Sequence, residues 1–228
     1  MPVITFANSK GGSGKTTSSL LLACALAQNT ATAIVDADPR KPLASWKKKS
    51  LDNGTFPKNL TVVSDISEDN ITKTIEGLAE ANTFVAVDLE GLASRMMSFA
   101  ISRSDYIIVP CKEQQQDVEA ALDVLKKLGQ DFDMLGRRIP FALLFTMTKY
   151  VKSRSSRAII EQLKNSPINV FRTEITERDP FSQIFMRGGT IYDLDKKVVT
   201  NIDKAIEEVD AFTLEVVDRL KQARQAAA

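Results

Sequence analysis

Short apolar runs alternate with longer amphipathic segments along the whole chain, and this alternation constrains the fold more than any other feature. Most of the runs are continuously apolar, which is typical of strands covered on both faces. They lie at 3–7, 31–35, 60–63, 83–87, 106–109, 140–145 and 168–171. Helical patterns lie at 15–28, 39–49, 68–81, 92–103, 114–128, 153–165 and 200–223.

This order of elements predicts an α/β fold with a mostly parallel β-sheet flanked by helices on both faces. The length of 228 residues, of which 43% are hydrophobic, is enough for a sizeable core. We expect a single domain over 1–224 and a frayed tail at 225–228.

The composition excludes several classes of site. The chain has no histidine, which excludes histidine-based catalysis and metal ligation. Its two cysteines, Cys24 and Cys111, are far apart and lack metal-ligand spacing, which suggests a reducing compartment. No signal peptide is evident, and the apolar stretch at 20–27 is too short to span a bilayer. We therefore expect a cytoplasmic protein.

A glycine-rich stretch, Ser-Lys-Gly-Gly-Ser-Gly-Lys-Thr-Thr, occupies 9–17 between the first strand and the first helix. It departs from the phosphate-binding pattern G-x-x-x-x-G-K-[ST], because Ser9 replaces the first glycine and Lys10 adds a second lysine. Glycines let backbone N–H groups wrap phosphates closely, and the following helix adds the positive end of its dipole. Lys15 is expected to reach the β and γ phosphates, and Thr16 to contact Mg²⁺.

Acidic residues follow two other strand candidates. Asp88 ends one apolar run, where a carboxylate can hold Mg²⁺ through water. Gly91 follows three residues later, at the spacing of a turn that senses the γ phosphate.

Asp36 and Asp38 end the second strand, so both should overlook the edge of the sheet where ligands bind. One carboxylate can orient water bound to the metal, and the other can orient the attacking water. An alternative is that Asp38 caps a helix whose first residue is Pro39.

These three motifs together resemble the deviant Walker A ATPases, which include ParA, ParF and MinD, and the resemblance covers essentially the whole chain. It implies an ATP- and Mg²⁺-dependent ATPase that dimerises around its nucleotides. The loop residues that it places around ATP are Lys10, Gly11, Gly12, Ser13, Gly14, Lys15, Thr16 and Thr17. It assigns Thr16, Asp36 and Asp88 to the metal site and Asp38 to the hydrolytic water.

The resemblance also gives the second lysine a role. Lys10 matches a residue that crosses the dimer and touches the phosphates of the partner's nucleotide, a task suited to a flexible point charge. The alternative is that Lys10 serves its own subunit or faces solvent. One departure from the family is Arg40, since ParA proteins usually have glutamine after the Asp-Pro pair.

ParA dimers bind DNA without sequence preference. The net charge of +1 shows no global basicity, so such contacts need a local patch. The segment 136–160 contains basic residues and no acidic one; they are Arg137, Arg138, Lys149, Lys152, Arg154 and Arg157. The alternative interpretation is that these basic residues form a solvent-exposed face without a DNA partner. The segment 201–228 has a net charge of −2, which argues against the membrane role of MinD.

The resemblance therefore predicts an ATPase that partitions plasmid DNA. ATP-bound dimers would associate with the nucleoid, and a centromere-binding adaptor of the ParB or ParG type would stimulate slow hydrolysis. The Asp38–Leu43 segment with Trp46, and the Glu177–Phe181 segment, also resemble ParA relatives that act in T-DNA transfer. The alternatives are thus an accessory protein that recruits a relaxosome component, or an ATPase that positions a protein cargo.

Overall fold

Seven parallel strands form the centre of the computed structural model, which describes residues 1–90 and 95–227. The strands are β1 (Val3–Phe6), β2 (Thr32–Ala37), β3 (Leu60–Val63), β4 (Phe84–Leu89), β5 (Tyr106–Cys111), β6 (Phe141–Thr148) and β7 (Ile175–Thr176). Their spatial order is β3-β2-β4-β1-β5-β6-β7, and every pairing is parallel. The predicted fold class is confirmed.

Helices cover both faces of this sheet. They are α1 (Lys15–Ala27), α2 (Pro42–Asp52), α3 (Ile71–Ala81), α4 (Arg95–Ser102), α5 (Gln115–Leu135), α6 (Arg154–Lys164), α7 (Asp179–Arg187) and α8 (Ile202–Ala227). The buried side chains of α1, α2, α7 and α8 form one apolar layer, and those of α3 to α6 form the other. Successive strand residues alternate between these layers. In β1, Ile4 and Phe6 lie in the first layer and Val3 lies in the second.

The chain after β6 departs most from the prediction. The expected strand at 168–171 makes only an isolated bridge between Val170 and Leu143, and the regular seventh strand is β7. Helix α7 was not predicted, because its apolar pattern is short. The last helix continues to Ala227, beyond the predicted end at residue 223.

The start of α2 also differs. The helix begins at Pro42, after Lys41 in the left-handed region with φ 48°, so Pro39 is not its first residue. Residues 92–94, the first three of the expected helix at 92–103, lie outside the described residues.

Candidate nucleotide-binding site

The glycine-rich loop leaves the central strand β1 and ends where α1 begins. Gly12 and Gly14 have φ angles of 71° and 89°, a region that side chains rarely adopt. A Cβ atom at Gly14 would also lie 3.0 Å from the side chain of Thr146. Glycine at this position is therefore required both by the backbone conformation and by the contact with β6.

Side chains from outside the motif hold the loop in place. The Asn8 amide donates to the Pro110 carbonyl (2.5 Å), and its oxygen accepts from the Lys10 backbone N–H (2.9 Å). The Thr146 hydroxyl donates to the Ser13 carbonyl (2.6 Å). The sequence analysis missed both Asn8 and Thr146. The only signal for them is that each follows or ends a strand at the edge where the loop lies.

A cleft of about 660 Å³ opens above the loop. This volume is in the range of pockets for small molecules and cofactors. Its lining includes Ser9, Gly11, Gly12, Ser13, Gly14, Lys15, Thr16, Thr17, Asp38, Arg40 and Glu90. Burial lowers the pKa of the Lys15 ammonium, and the carboxylates of Asp88 and Asp38 oppose that shift. The cleft thus joins backbone donors and a partly desolvated lysine.

Asp88 is the most unusual group in the site. It is 1% exposed at the end of β4, where it lies opposite both Phe6 and Asp36 in the sheet register. Among the residues that the structure describes, neither carboxylate oxygen has a hydrogen-bond partner. Burial raises its pKa to about 7, although the neighbouring Thr16 and Lys15 side chains oppose the shift. A buried carboxylate without partners is costly, and a cation beside Thr16 would relieve that cost.

Asp36 has a structural task as well. One carboxylate oxygen accepts hydrogen bonds from the N–H groups of Leu43 (2.9 Å) and Ala44 (3.1 Å), and from the Ser64 hydroxyl (3.2 Å). Asp36 therefore caps α2, and the alternative that Asp38 caps this helix was wrong. The other oxygen of Asp36 is buried and has no hydrogen-bond partner in residues 1–90 and 95–227. Burial raises the pKa of Asp36, and these hydrogen bonds oppose the shift.

Asp38 lines the cleft and is 9% exposed. Its carboxylate accepts a hydrogen bond from the Arg40 backbone N–H at 2.8 Å. The Arg40 guanidinium contacts both carboxylate oxygens, each at 3.3 Å. Arg40, which departs from the ParA pattern, therefore holds the carboxylate that the family resemblance assigns to the hydrolytic water.

Lys10 is held within its own chain. Its ammonium donates to the Asp117 carboxylate at 2.7 Å, and Asp117 lies almost fully buried in the first turn of α5. Sequence analysis did not single out Asp117. The one signal was its place just after β5, at the same edge of the sheet as the loop. Gly91, the expected γ-phosphate sensor, lies outside the described residues.

A second cleft of about 320 Å³ adjoins the loop on the side of β7 and α7. Gly14 and Thr17 line it from the loop, and the other lining residues are Thr146, Met147, Ile175, Thr176, Glu177, Arg178, Phe181, Ser182 and Phe185. Phe181 and Phe185 are four residues apart and so share one face of α7. This apolar wall beside the phosphate loop was absent from the sequence analysis, because α7 itself was missed.

The six basic residues expected to contact DNA do not form one patch. Arg137 and Arg138 precede β6, whereas Lys149, Lys152, Arg154 and Arg157 follow it, and eight residues of strand span about 25 Å. Arg137 donates to the Ser104 carbonyl (2.8 Å), and Lys152 pairs with Glu113 (2.7 Å) and Glu174 (2.5 Å). Lys149, Arg154 and Arg157 are exposed and follow the carboxyl end of β6, the end of the sheet at which the cleft lies.

A model of the VirC1 protein family matches residues 1–222 of this chain. The chain belongs to the VirC1 family. A ParA protein from Rhizobium radiobacter is 32% identical over 225 residues, which cover 98% of this chain and 99% of that protein. A virC1 protein from the same organism is 28% identical over 199 residues, or 82% of each chain.

Solved structures show the same fold. A McdA variant from Cyanothece in complex with ATP superposes with a TM-score of 0.72 at 17% identity, over 93% of this chain and 96% of that one. A plasmid partition protein from Borrelia burgdorferi bound to AMPPNP gives a TM-score of 0.68 at 20% identity, over 92% and 98%. The VirC1-family chain thus has the fold of the ParA and MinD ATPases. None of its described helices is long and apolar enough to cross a membrane.

Proposed function

We propose that this VirC1-family protein is a ParA-type ATPase that binds Mg-ATP in the loop cleft. The observation that carries the proposal is the buried carboxylate of Asp88 beside Thr16 and Lys15, which lacks a hydrogen-bond partner within the described part of the chain. Thr16 and Asp88 would hold Mg²⁺, with the free oxygen of Asp36 behind them, and phosphate oxygens and water would complete the ligand set. When bound, Mg²⁺ supplies charge neutralisation for phosphoryl transfer.

The chain's own residues supply binding and orientation. The loop N–H groups and the start of α1 cradle the phosphates, Lys15 reaches the β and γ phosphates, and Thr17 holds the α phosphate. Asp38 orients the attacking water. The adjoining cleft, with its wall of Phe181 and Phe185, suits the nucleotide base, because purine rings pack well against aromatic side chains.

We further propose that two ATP-bound chains form a sandwich dimer in which Lys10 reaches the partner's nucleotide. The dimer binds DNA without sequence preference, and hydrolysis stimulated by a centromere-binding adaptor releases it. This cycle would take place in the cytoplasm on the nucleoid and would segregate plasmid DNA.

The second candidate is an accessory role in conjugative or T-DNA transfer, in which the ATP-bound protein recruits a relaxosome component. The match of a VirC1 model to residues 1–222 favours this role. Both candidates share the nucleotide chemistry and differ in the partner that the ATP-bound state recruits.

The test is binding to random-sequence duplex DNA with ATP, with ADP and without nucleotide, at two salt concentrations. We expect strong DNA binding only in the presence of ATP. Higher salt should weaken this binding, because contacts to DNA phosphates displace bound counterions. Dimers that form with ATP but bind no DNA would refute partition and favour the recruiting role.

Lys15→Ala is the nucleotide control for this experiment. The variant should lose ATP binding, whereas Lys48→Ala, at an exposed position of α2, should retain it. Calorimetric titration with ATP measures both. Binding by Lys15→Ala that equals the unmodified protein would refute the assignment of the phosphate site.

A further inference from the structure

The carboxyl end of α7 is held by side chains of α2 and of Asn53, which directly follows α2. Lys49 donates from its ammonium to the Phe185 carbonyl (2.8 Å), and Asn53 donates from its amide to the Arg187 carbonyl (2.7 Å). The last carbonyls of a helix have no partner within the helix, so these bonds satisfy two of them. Helix α2 therefore stabilises the end of α7 from outside.

Gly188 and Gly189 continue this contact directly after α7. The Trp46 indole N–H donates to the Gly189 carbonyl (2.8 Å), and the Gly189 N–H donates to the Ser50 hydroxyl (2.8 Å). Trp46 is 1% exposed and Ser50 is fully buried. These bonds fix the backbone that leaves α7 against one face of α2.

The approach of the two backbones leaves no room for a side chain. Gly188 has a φ of 78°, and a Cβ atom there would lie 2.5 Å from the Ser50 nitrogen. Backbone atoms cannot move aside as the end of a flexible side chain can. A glycine at 188 is thus a condition for the observed distance between α2 and α7.

Helix α7 is also the aromatic wall of the second cleft. Phe181 and Phe185 line that cleft, and Phe185 also lines another space that Thr16, Asp38, Arg40 and Pro42 share. The carbonyl that Lys49 holds belongs to Phe185 itself. Any shift of the end of α7 therefore moves a side chain that faces the cleft.

We infer that Trp46, Lys49 and Ser50 of α2, with Asn53 just after it and Gly188 after α7, are positioning residues that set the aromatic wall for the nucleotide base. This inference rests on the proposed function. In this account, these residues affect the part of the ATP affinity that comes from contacts to the base. The loop supplies the part that comes from contacts to the phosphates. Loosening the clamp should lower affinity for ATP while affinity for a triphosphate without a base stays the same.

The experiment compares dissociation constants for Mg-ATP and for inorganic tripolyphosphate with Mg²⁺, by calorimetric titration. Gly188→Ala is compared with Gly77→Ala, a position in α3 where a Cβ atom would meet no described residue within 4 Å. Lys49→Met is compared with Lys48→Met, its exposed neighbour on α2. We expect the ATP-to-tripolyphosphate affinity ratio to fall about tenfold in Gly188→Ala and about threefold in Lys49→Met, and to stay constant in both controls.

An unchanged ratio in Gly188→Ala and Lys49→Met would overturn the inference alone. An equal loss of affinity for ATP and tripolyphosphate would also overturn it, because the clamp would then act on the loop as a whole. If Gly188→Ala does not fold, the comparison of Lys49→Met with Lys48→Met decides, since neither of these variants removes a buried group. If the unmodified protein bound neither ligand, the proposed function would fail and this inference with it.

Discussion

Asp38 lies at the cleft, with Arg40 on both of its carboxylate oxygens. A carboxylate in this place can orient water for attack on a phosphate, and positioned groups of this kind contribute about 10²-fold or more to a rate. We expect Asp38→Ala to lower kcat for ATP hydrolysis about 100-fold while ATP affinity changes less than about threefold.

Steady-state turnover and calorimetric titration measure these two quantities. The control is Asp52→Ala, which removes an exposed carboxylate at the end of α2. The Asp38→Ala variant should stay dimeric and DNA-bound once ATP is added. Turnover equal to that of the unmodified protein would remove Asp38 as the water-orienting residue.

The pair between Lys10 and Asp117 competes with any contact that Lys10 makes to a partner subunit. Its Nζ–Oδ2 distance is 2.7 Å, and the lysine end is partly exposed. We expect Lys10→Ala to bind ATP without forming an ATP-dependent dimer. Asp117→Asn should strengthen that dimer about fivefold. In the unmodified protein Lys10 must first break a partly exposed ion pair, which costs about 1 kcal/mol, and the variant has no such pair to break.

Analytical ultracentrifugation with ATP and with ADP measures both effects, and thermal unfolding shows whether Asp117→Asn remains folded. Normal ATP-dependent dimers of Lys10→Ala would refute the contact across the dimer. A weaker dimer of a well-folded Asp117→Asn would show that the pair supports the dimer instead of competing with it.

At the scale of elements, α8 docks through a buried carboxylate. Glu215 accepts hydrogen bonds from the N–H groups of Arg172 and Thr173, each at 2.9 Å, and pairs with Arg219 at 2.8 Å. Burial alone would raise the pKa of Glu215, but these bonds outweigh it and lower the pKa below its ordinary value of 4.5. The charged form therefore ties α8 to the segment that runs beside β6.

Glu215→Gln should lower the free energy of unfolding at pH 7 by about 2 kcal/mol, since it weakens several bonds to a charged acceptor. A carboxyl group whose pKa is lower in the folded state stabilises above its unfolded pKa. That contribution is lost as pH falls through the folded value, so the difference from the unmodified protein should shrink below about pH 4.5.

Urea unfolding at several pH values measures this difference. Glu207→Gln changes an exposed carboxylate on the same helix and should leave the curve unchanged. A difference for Glu215→Gln that stays constant down to pH 3 would contradict the ionic account of α8 docking.

At the scale of the molecule, the parallel sheet divides the basic residues between its two edges. Arg154 and Arg157 are exposed near the cleft edge, and the nearby Tyr150 and Val151 are 93% and 76% exposed. We expect Arg154→Ala with Arg157→Ala to weaken ATP-dependent DNA binding and to lower its salt slope by about 2, because each phosphate contact contributes about 0.9.

Arg138→Ala, at the opposite edge, is the matched control and should leave DNA binding unchanged. Fluorescence anisotropy over a salt series measures both variants, and ATP titration verifies that the site is intact. Loss of binding in Arg138→Ala alone would move the DNA surface to the amino-terminal edge of the sheet.

The sequence by itself determined the fold class and the gathering of Lys15, Thr16, Asp36, Asp38 and Asp88. The physical reason is local: continuous apolar runs make buried parallel strands, and the residues after such strands meet at one edge. Asp36 and Asp88 lie near the ends of β2 and β4, and Asp38 directly follows β2. Lys15 and Thr16 begin the helix after the glycine-rich loop, which the motif itself placed beside β1.

Only the tertiary structure decided the contacts between distant segments. Helix α7 and the two-residue strand β7 are too short for periodicity to reveal, and packing against α2 and β6 stabilises them. Asp36 caps α2 because the chain turns at Lys41, and Lys10 meets Asp117 because β1 and β5 are neighbours. Such pairs depend on the order of strands in space, which a linear pattern of apolar and polar residues does not specify.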